Sequence, residues 1–192
     1  MHDFIVRNPF ATIATVIDGT VHFAYAPLVL GREPSPLGTV YFHLARSNPI
    51  ASLADGAVVK VGVMGPHAYI SPTWYAPGPK VPTWNYVTVH AYGRPQIIDD
   101  TRGALAVLAK LAAAYEGSGS EAWGLGRLPP GNAEAQTRGI VAFRMPLERV
   151  ETKIKLSQNR DLEDRTRVIA RLEASDSQEA QATAKWMKRV LP

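Results

Sequence analysis

The chain has 192 residues, 46% of them hydrophobic, with 21 basic and 17 acidic side chains and a net charge of +4. That length suits one domain able to bury a sizeable core, with room for a small appendage. There is no cysteine, which excludes disulfides, thiolate zinc sites and cysteine nucleophiles. No apolar run approaches a membrane span, and the start, MHDFIVRNPFATIATVIDG, lacks the pattern of a signal peptide. A soluble cytoplasmic protein with no membrane partner is expected.

Strands dominate the first two thirds. ATIATVI (11–17) and VHFAYAPLVL (21–30) flank Asp18-Gly19, a hairpin-turn pair. GTVYFHL (38–44) and the β-branched AVVKVGVM (57–64) follow, the second reading as a buried strand. In NYVTVHAYGRPQII (85–98), Tyr86, Thr88, His90 and Tyr92 alternate with Val87, Val89 and Ala91. GIVAFRMPLERVETKIKL (139–156) supplies a late strand or two. Asn48-Pro49 opens a short helix to about Leu53. Residues 101–115 carry Leu105, Leu108, Leu111, Ala112 and Tyr115 at helical spacing behind an acidic start. Residues 161–173 form another helix, and Ser175 or Asp176 caps a last one to about Val190. The expected fold is mainly β (α+β): a closed or partly closed antiparallel barrel over 1–156, with helices inserted late and a helical tail over 157–192.

Charge is unevenly placed. Residues 138–192 hold 12 basic and 8 acidic side chains, whereas 1–137 hold nine of each. The bias permits nucleic-acid or anion binding; a solvated helical face accounts for it equally well.

Three segments carry chemistry. GPHAYISPTWY (65–75) and VPTWNYVTVHAYG (81–93) set two of the four Trp and four of the seven Tyr among Ser, Thr, Asn and His. That mixture suits a planar, hydrogen-bonding ligand; burial in a core or interface is the plainer reading. In HLARSNP (43–49), Arg46 and Ser47 precede a helix start capped by Asn48, a plausible phosphate cradle, or simply a capped helix beside a surface arginine. His43 points away from Phe42 and Leu44 and is either a ligand contact or a structural histidine. In KIKLSQNR (153–160), Ser157, Gln158 and Asn159 either cap a helix or reach a ligand. No P-loop, HExxH, GxSxG or recognisable metal-ligand spacing is present, so no metal is expected.

In their order and intervals, HLARSNP, GPHAYISPTWY, VPTWNYVTVHAYG and KLSQNR resemble the PaiB-type FMN-binding negative transcriptional regulators, over about residues 3–172. The resemblance implies an FMN-binding split β-barrel related to the pyridoxamine-phosphate-oxidase-like flavoproteins, a homodimer, and FMN near the dimer interface. It implies that His43, Arg46, Ser47 and Asn48 hold the phosphate. Trp74, Tyr75, Thr83, Trp84 and Asn85 would wall the flavin ring, and Gln158 and Asn159 would reach its edge. The connection APGPK between Tyr75 and Val81 is shorter than the family pattern, so no contact is carried over for Lys80. Two activities fit: a flavin-linked transcriptional regulator with a DNA or regulatory-protein partner, or an FMN-dependent oxidoreductase drawing on NAD(P)H and acting on a small acceptor.

Overall fold

A computed structural model describes residues 1–53, 56–117 and 119–191. The expected hairpin forms: β1 (Phe10–Ile17) and β2 (Thr20–Pro27) pair antiparallel, from Phe10 opposite Pro27 to Ile17 opposite Thr20. Asp18 and Gly19 adopt φ of 48° and 78°, the left-handed pair that a tight turn between right-twisted strands requires. Before it lies α1 (His2–Arg7), which has no side-chain cap and is anchored by burial of Phe4 and Ile5. Six residues do not hold a helix alone, which is why no local sequence signal marks it.

Proline divides two of the expected strands. The run 21–30 becomes β2 and β3 (Val29–Gly31), separated just after Pro27, and β3 pairs with β4 (Thr39–Ala45). The run 85–98 becomes β6 (Thr83–Gly93) and β7 (Gln96–Ile98), broken at Arg94-Pro95, because proline cannot donate to a ladder. By contrast β5 (Val59–Ile70) continues six residues past its expected end at 64, and β8 (Ile140–Lys155) is one strand of 16 residues. The strands form one eight-stranded sheet in the order β2-β1-β5-β6-β8-β4-β3, with β7 on β8.

The helices are α2 (Pro49–Leu53), α3 (Thr101–Glu116), α4 (Asn132–Thr137), α5 (Leu162–Glu173) and α6 (Gln178–Arg189). Asp100, Asp161 and Ser177 cap α3, α5 and α6 through their side-chain oxygens, each satisfying a first-turn amide. The last cap falls one or two residues after the expected Ser175 or Asp176. Among the described residues no helix is long and apolar enough to cross a membrane.

The chain divides into two compact units. The first comprises 1–63 and 89–151. Phe42 and Phe143, register partners on β4 and β8, stack with centroids 5.0 Å apart. Ile13, Val40, Val61 and Met145 are fully buried, and α3 lays Ala104, Val107 and Leu111 against Ala142. The second unit comprises 64–88 and 152–192, so the C-terminal helices are joined to the aromatic segment. Here α5 and α6 bury Val168, Leu172 and Met187, each worth roughly 2 kcal/mol in removed apolar surface, with Ala184, Ile70, Val87 and Leu156. Strands β5, β6 and β8 each run from one unit into the other.

Candidate functional site

The segment His43–Asn48 lies in the first unit at the end of β4. His43 is half-buried, its Nδ1 is buried without a partner, and burial lowers its pKa. The Arg46 guanidinium donates through Nε to the Arg138 carbonyl at 2.8 Å and through Nη2 to the Ile140 carbonyl at 2.7 Å. Asn48 Oδ1 accepts from the Ile50 amide at 2.9 Å. Ser47 is exposed. Arg46 Nε and Nη2 and Asn48 Oδ1 are therefore committed to the chain's own backbone, and α2 behind them has only five residues.

The aromatic segments lie in the second unit, and strand alternation separates them. Trp84 projects from one face of β6, 49% exposed, with His67 and Tyr69 at ring distances of 5.6 and 6.2 Å. Its neighbour Asn85 projects from the opposite face and is fully buried, since successive strand residues face opposite ways. Trp74 closes a short 3-10 turn and lines a separate recess of about 390 Å³ with Thr73, Arg167 and Arg171. Its carbonyl accepts from Arg167 Nε at 3.2 Å.

Four of the expected residues do meet. Tyr75, Thr83, Asn85 and Asn159 line a cavity of about 220 Å³ together with Val81, Pro82, Lys155, Ser157 and Arg160. Lys155 Nζ donates to Thr83 Oγ1 at 2.6 Å. Ser157 Oγ donates to Asn85 Oδ1 at 3.1 Å, and Asn85 Nδ2 reaches Met187 Sδ at 3.3 Å. Ser157 is buried with φ of 60°, a conformation non-glycine residues adopt at a cost and that clusters at binding sites. Gln158 turns away: its Oε1 accepts from the Leu156 amide at 2.7 Å and its Nε2 donates to the Ile154 carbonyl at 2.9 Å.

Tyr75 is 3% exposed, with the Lys80 ammonium 5.8 Å and the Arg160 guanidinium 4.9 Å from its ring centroid. Its hydroxyl is buried without a partner. Lys80, in the short APGPK connection, is held by the buried Asp164 carboxylate at 2.7 Å, which also accepts from the Ala76 amide at 2.7 Å. The bond from Lys80 does most to hold the Asp164 pKa below the ordinary carboxylate range, and the Ala76 amide adds to it against the opposing effect of burial.

No carboxylate lines this cavity, and neither Lys155 nor Arg160 has an ion-pair partner among the described residues. The cavity therefore offers two cations together with hydroxyl and amide donors, a set that matches an anionic, acceptor-rich group. Lys155 and Arg160 flank the neutral Ser157, Gln158 and Asn159 within KIKLSQNR. Among the described residues no group of three or more His, Asp or Glu side chains is placed to hold a metal.

Residues 1–149 match the family model described as "Putative FMN-binding domain". The chain belongs to this FMN-binding family. A relative from Bacillus subtilis (strain 168), "Protease synthase and sporulation protein PAI 2", is 31% identical over 97% of this chain and 89% of that protein. Among solved structures, the FAD and heme binding protein of Mycobacterium smegmatis superposes with a TM-score of 0.62 at 16% identity, covering 86% of this chain and 74% of that one. The flavocytochrome Anf3 of Azotobacter vinelandii gives 0.62 at 15% identity, covering 86% and 73%. The split-barrel fold expected for an FMN-binding family member is therefore the fold observed, and FMN is its cofactor. The family match ends at residue 149, so Lys155, Ser157, Asn159 and Arg160 lie beyond it. FMN carries a phosphate and a carbonyl-rich ring edge, and the donors of the 220 Å³ cavity fit a group of that kind.

Proposed function

We propose that this chain acts as an FMN-loaded homodimer in the cytoplasm and serves as a flavin-linked transcriptional regulator. The observation carrying the flavin part is the cavity without a lining carboxylate that Lys155 and Arg160 share with Tyr75, Thr83 and Asn159. A volume of about 220 Å³ is below the roughly 300 Å³ at which ligand pockets usually begin, so it holds one end of FMN and not the whole molecule. The regulatory part is supported by the relative from Bacillus subtilis, whose name ties it to protease synthesis and sporulation.

The homodimer is supported by an apolar sheet face in the first unit. Phe10, Val16, Val21, Phe23 and Tyr25 are each 55–67% exposed. Register places Val16 beside Val21, and Phe10 stacks on Tyr25 at 6.4 Å. Exposed contiguous apolar surface of this kind marks an interaction site, and a two-fold interface uses one self-complementary patch.

A second reading, an FMN-dependent oxidoreductase acting on a small acceptor, is favoured by the two unpaired cations. FMN supplies hydride and electron transfer when bound; Lys155 and Arg160 would hold negative charge in place, with the buried Asn85–Ser157 pair fixing the cavity wall. Anaerobic addition of NADH and NADPH to the purified, flavin-loaded protein separates the two. Rapid bleaching of the flavin absorbance by either nucleotide supports the enzyme. A stable flavin spectrum, with DNA binding that weakens steeply as salt rises, supports the regulator. A protein that takes up no FMN overturns both.

A further inference from the structure

The first unit holds a second cavity, of about 470 Å³, inside the range of roughly 300–1,000 Å³ typical of ligand pockets. It shares no residue with the cavity beside α5. Helix α3 lines it with Leu108, Ala112 and Tyr115, and the segment between α3 and α4 adds Trp123, Leu125 and Leu128. The three α3 positions form one stripe of the helix. That stripe lies beside Ala104, Val107 and Leu111, which pack on Ala142, so α3 carries more apolar side chains than its core contact uses. Two bonds hold the walls. The Tyr115 hydroxyl donates to the Leu28 carbonyl at 2.9 Å, and Arg127 Nη2 donates to the Ser120 carbonyl at 2.7 Å.

The polar lining is Glu116 and Gln136. Glu116 makes no ion pair among the described residues. It is also the last residue of α3, where the helix dipole is negative and a cation is favoured. Helices α5 and α6 place Arg171, and Lys188 and Arg189, in their last turns, whereas α3 places no basic residue there. The aromatic walls are open as well: Tyr115 is 49% and Trp123 43% exposed. Among the described residues neither ring has a Lys or Arg over it, unlike Tyr41, Tyr75, Tyr92 and Trp186. A carboxylate, a helix C-terminus and two aromatic rings, all without a cation, thus border one apolar space.

We propose that this cavity is a binding site for a lipophilic amine. The apolar body of the ligand seats among the leucines, and its ammonium group supplies the cation that Glu116, the end of α3 and the two rings lack. Burial of the body drives binding, and the ammonium adds charge pairing and cation–π attraction. An anion on the same body is repelled by Glu116. The site rests on neither the flavin nor the regulatory reading.

The test uses three probes with one body, phenylbutylamine, phenylbutanol and phenylbutyrate, titrated calorimetrically into the full chain. Wild type, Glu116→Gln and Ala112→Phe are compared, each first shown to melt cooperatively. Wild type is expected to bind the amine about fivefold tighter than the alcohol, and the carboxylate most weakly. Glu116→Gln is expected to cut the amine's lead to about twofold and to leave the alcohol unchanged. Ala112→Phe, which fills the cavity, is expected to remove binding of all three. Equal affinity of amine and alcohol in wild type overturns the proposal, as does the absence of amine binding at millimolar concentration or amine binding that survives Ala112→Phe. Should Ala112→Phe not fold, Glu116→Gln decides alone, and an undiminished lead of the amine overturns the site. A wild-type dimer that Ala112→Phe or Glu116→Gln converts to a monomer in sedimentation velocity would make the occupant a second copy of the chain, and that also overturns it.

Discussion

The turn after β4 and the cavity beside α5 are both rich in polar side chains, and they differ in what those side chains are bonded to. At the turn, Arg46 and Asn48 satisfy backbone groups of their own chain. In the cavity, Lys155 donates to Thr83, and neither it nor Arg160 makes an ion pair among the described residues. A donor already bonded to a carbonyl holds the fold together and has less to offer a ligand. A cation without an ion-pair partner keeps its charge available for an anionic ligand. Residue type alone is the same at both places; bonding state separates them.

The largest expected effect tests what holds the cavity in shape. Asp164→Ala leaves Lys80 uncompensated beside buried structure and frees the Ala76 amide, and breaking such a pair is strongly destabilising. A fall in melting temperature on the order of 5 °C or more is expected by calorimetry. The same carboxylate gives an acid-side signature. Its folded pKa is depressed, so its contribution is complete at neutral pH and is lost as pH falls below the ordinary carboxylate range toward the lowered value. That loss should be absent from the Asp164→Asn variant.

Next in size is the sheet face that distinguishes the first unit. Phe23→Glu places a charge in the apolar patch and is expected to convert a dimer to a monomer by sedimentation velocity, with flavin-free stability little changed. An unaltered sedimentation coefficient would remove that face as the interface. Arg46→Met should lower stability by about 1 kcal/mol through its lost carbonyl bonds, measured by urea titration.

Tyr75→Phe sharpens the comparison further. Removing an unsatisfied buried hydroxyl should leave the flavin-free protein as stable as wild type or raise its melting temperature by about 2 °C. A destabilised flavin-free variant would mean that the phenol already has a partner. The smallest effect is at His43, whose pKa burial depresses. Its neutral form belongs to the folded state, so stability is intact above about pH 6.5 and declines as pH falls toward the lowered value. His43→Gln should flatten that decline in urea titrations between pH 7 and 5.

Much of the fold was legible because strands announce themselves by alternation and turns by Asp18-Gly19. The breaks at Pro27 and Pro95 were visible as prolines, yet each sat inside an apolar run that read as continuous. Helix α1 was not legible, since its stability comes from Phe4 and Ile5 packing and not from local signals. Tyr75, Thr83, Asn85 and Asn159, singled out through motif type, line one cavity. The separation of Trp84 from Asn85 follows from strand parity, which the motif VPTWNY carries once β6 is known to run through it. Lys155 and Arg160 do not stand out in sequence because a cation at a strand end usually faces water; that neither makes an ion pair among the described residues depends on neighbours in space.

The second unit is assembled from two stretches of sequence, 64–88 and 152–192. Tyr75 and Thr83 leave the ribosome long before Lys155 and Arg160 do. The cavity is thus a late product of synthesis: the whole intervening strand-and-helix segment must emerge before its cationic wall exists. Contacts of such long sequence separation form slowly, and the earlier aromatic segment spends that interval without its final partners. Cofactor capture at this cavity is therefore expected only after the C-terminal helices have folded, which makes flavin uptake a report on the completed chain.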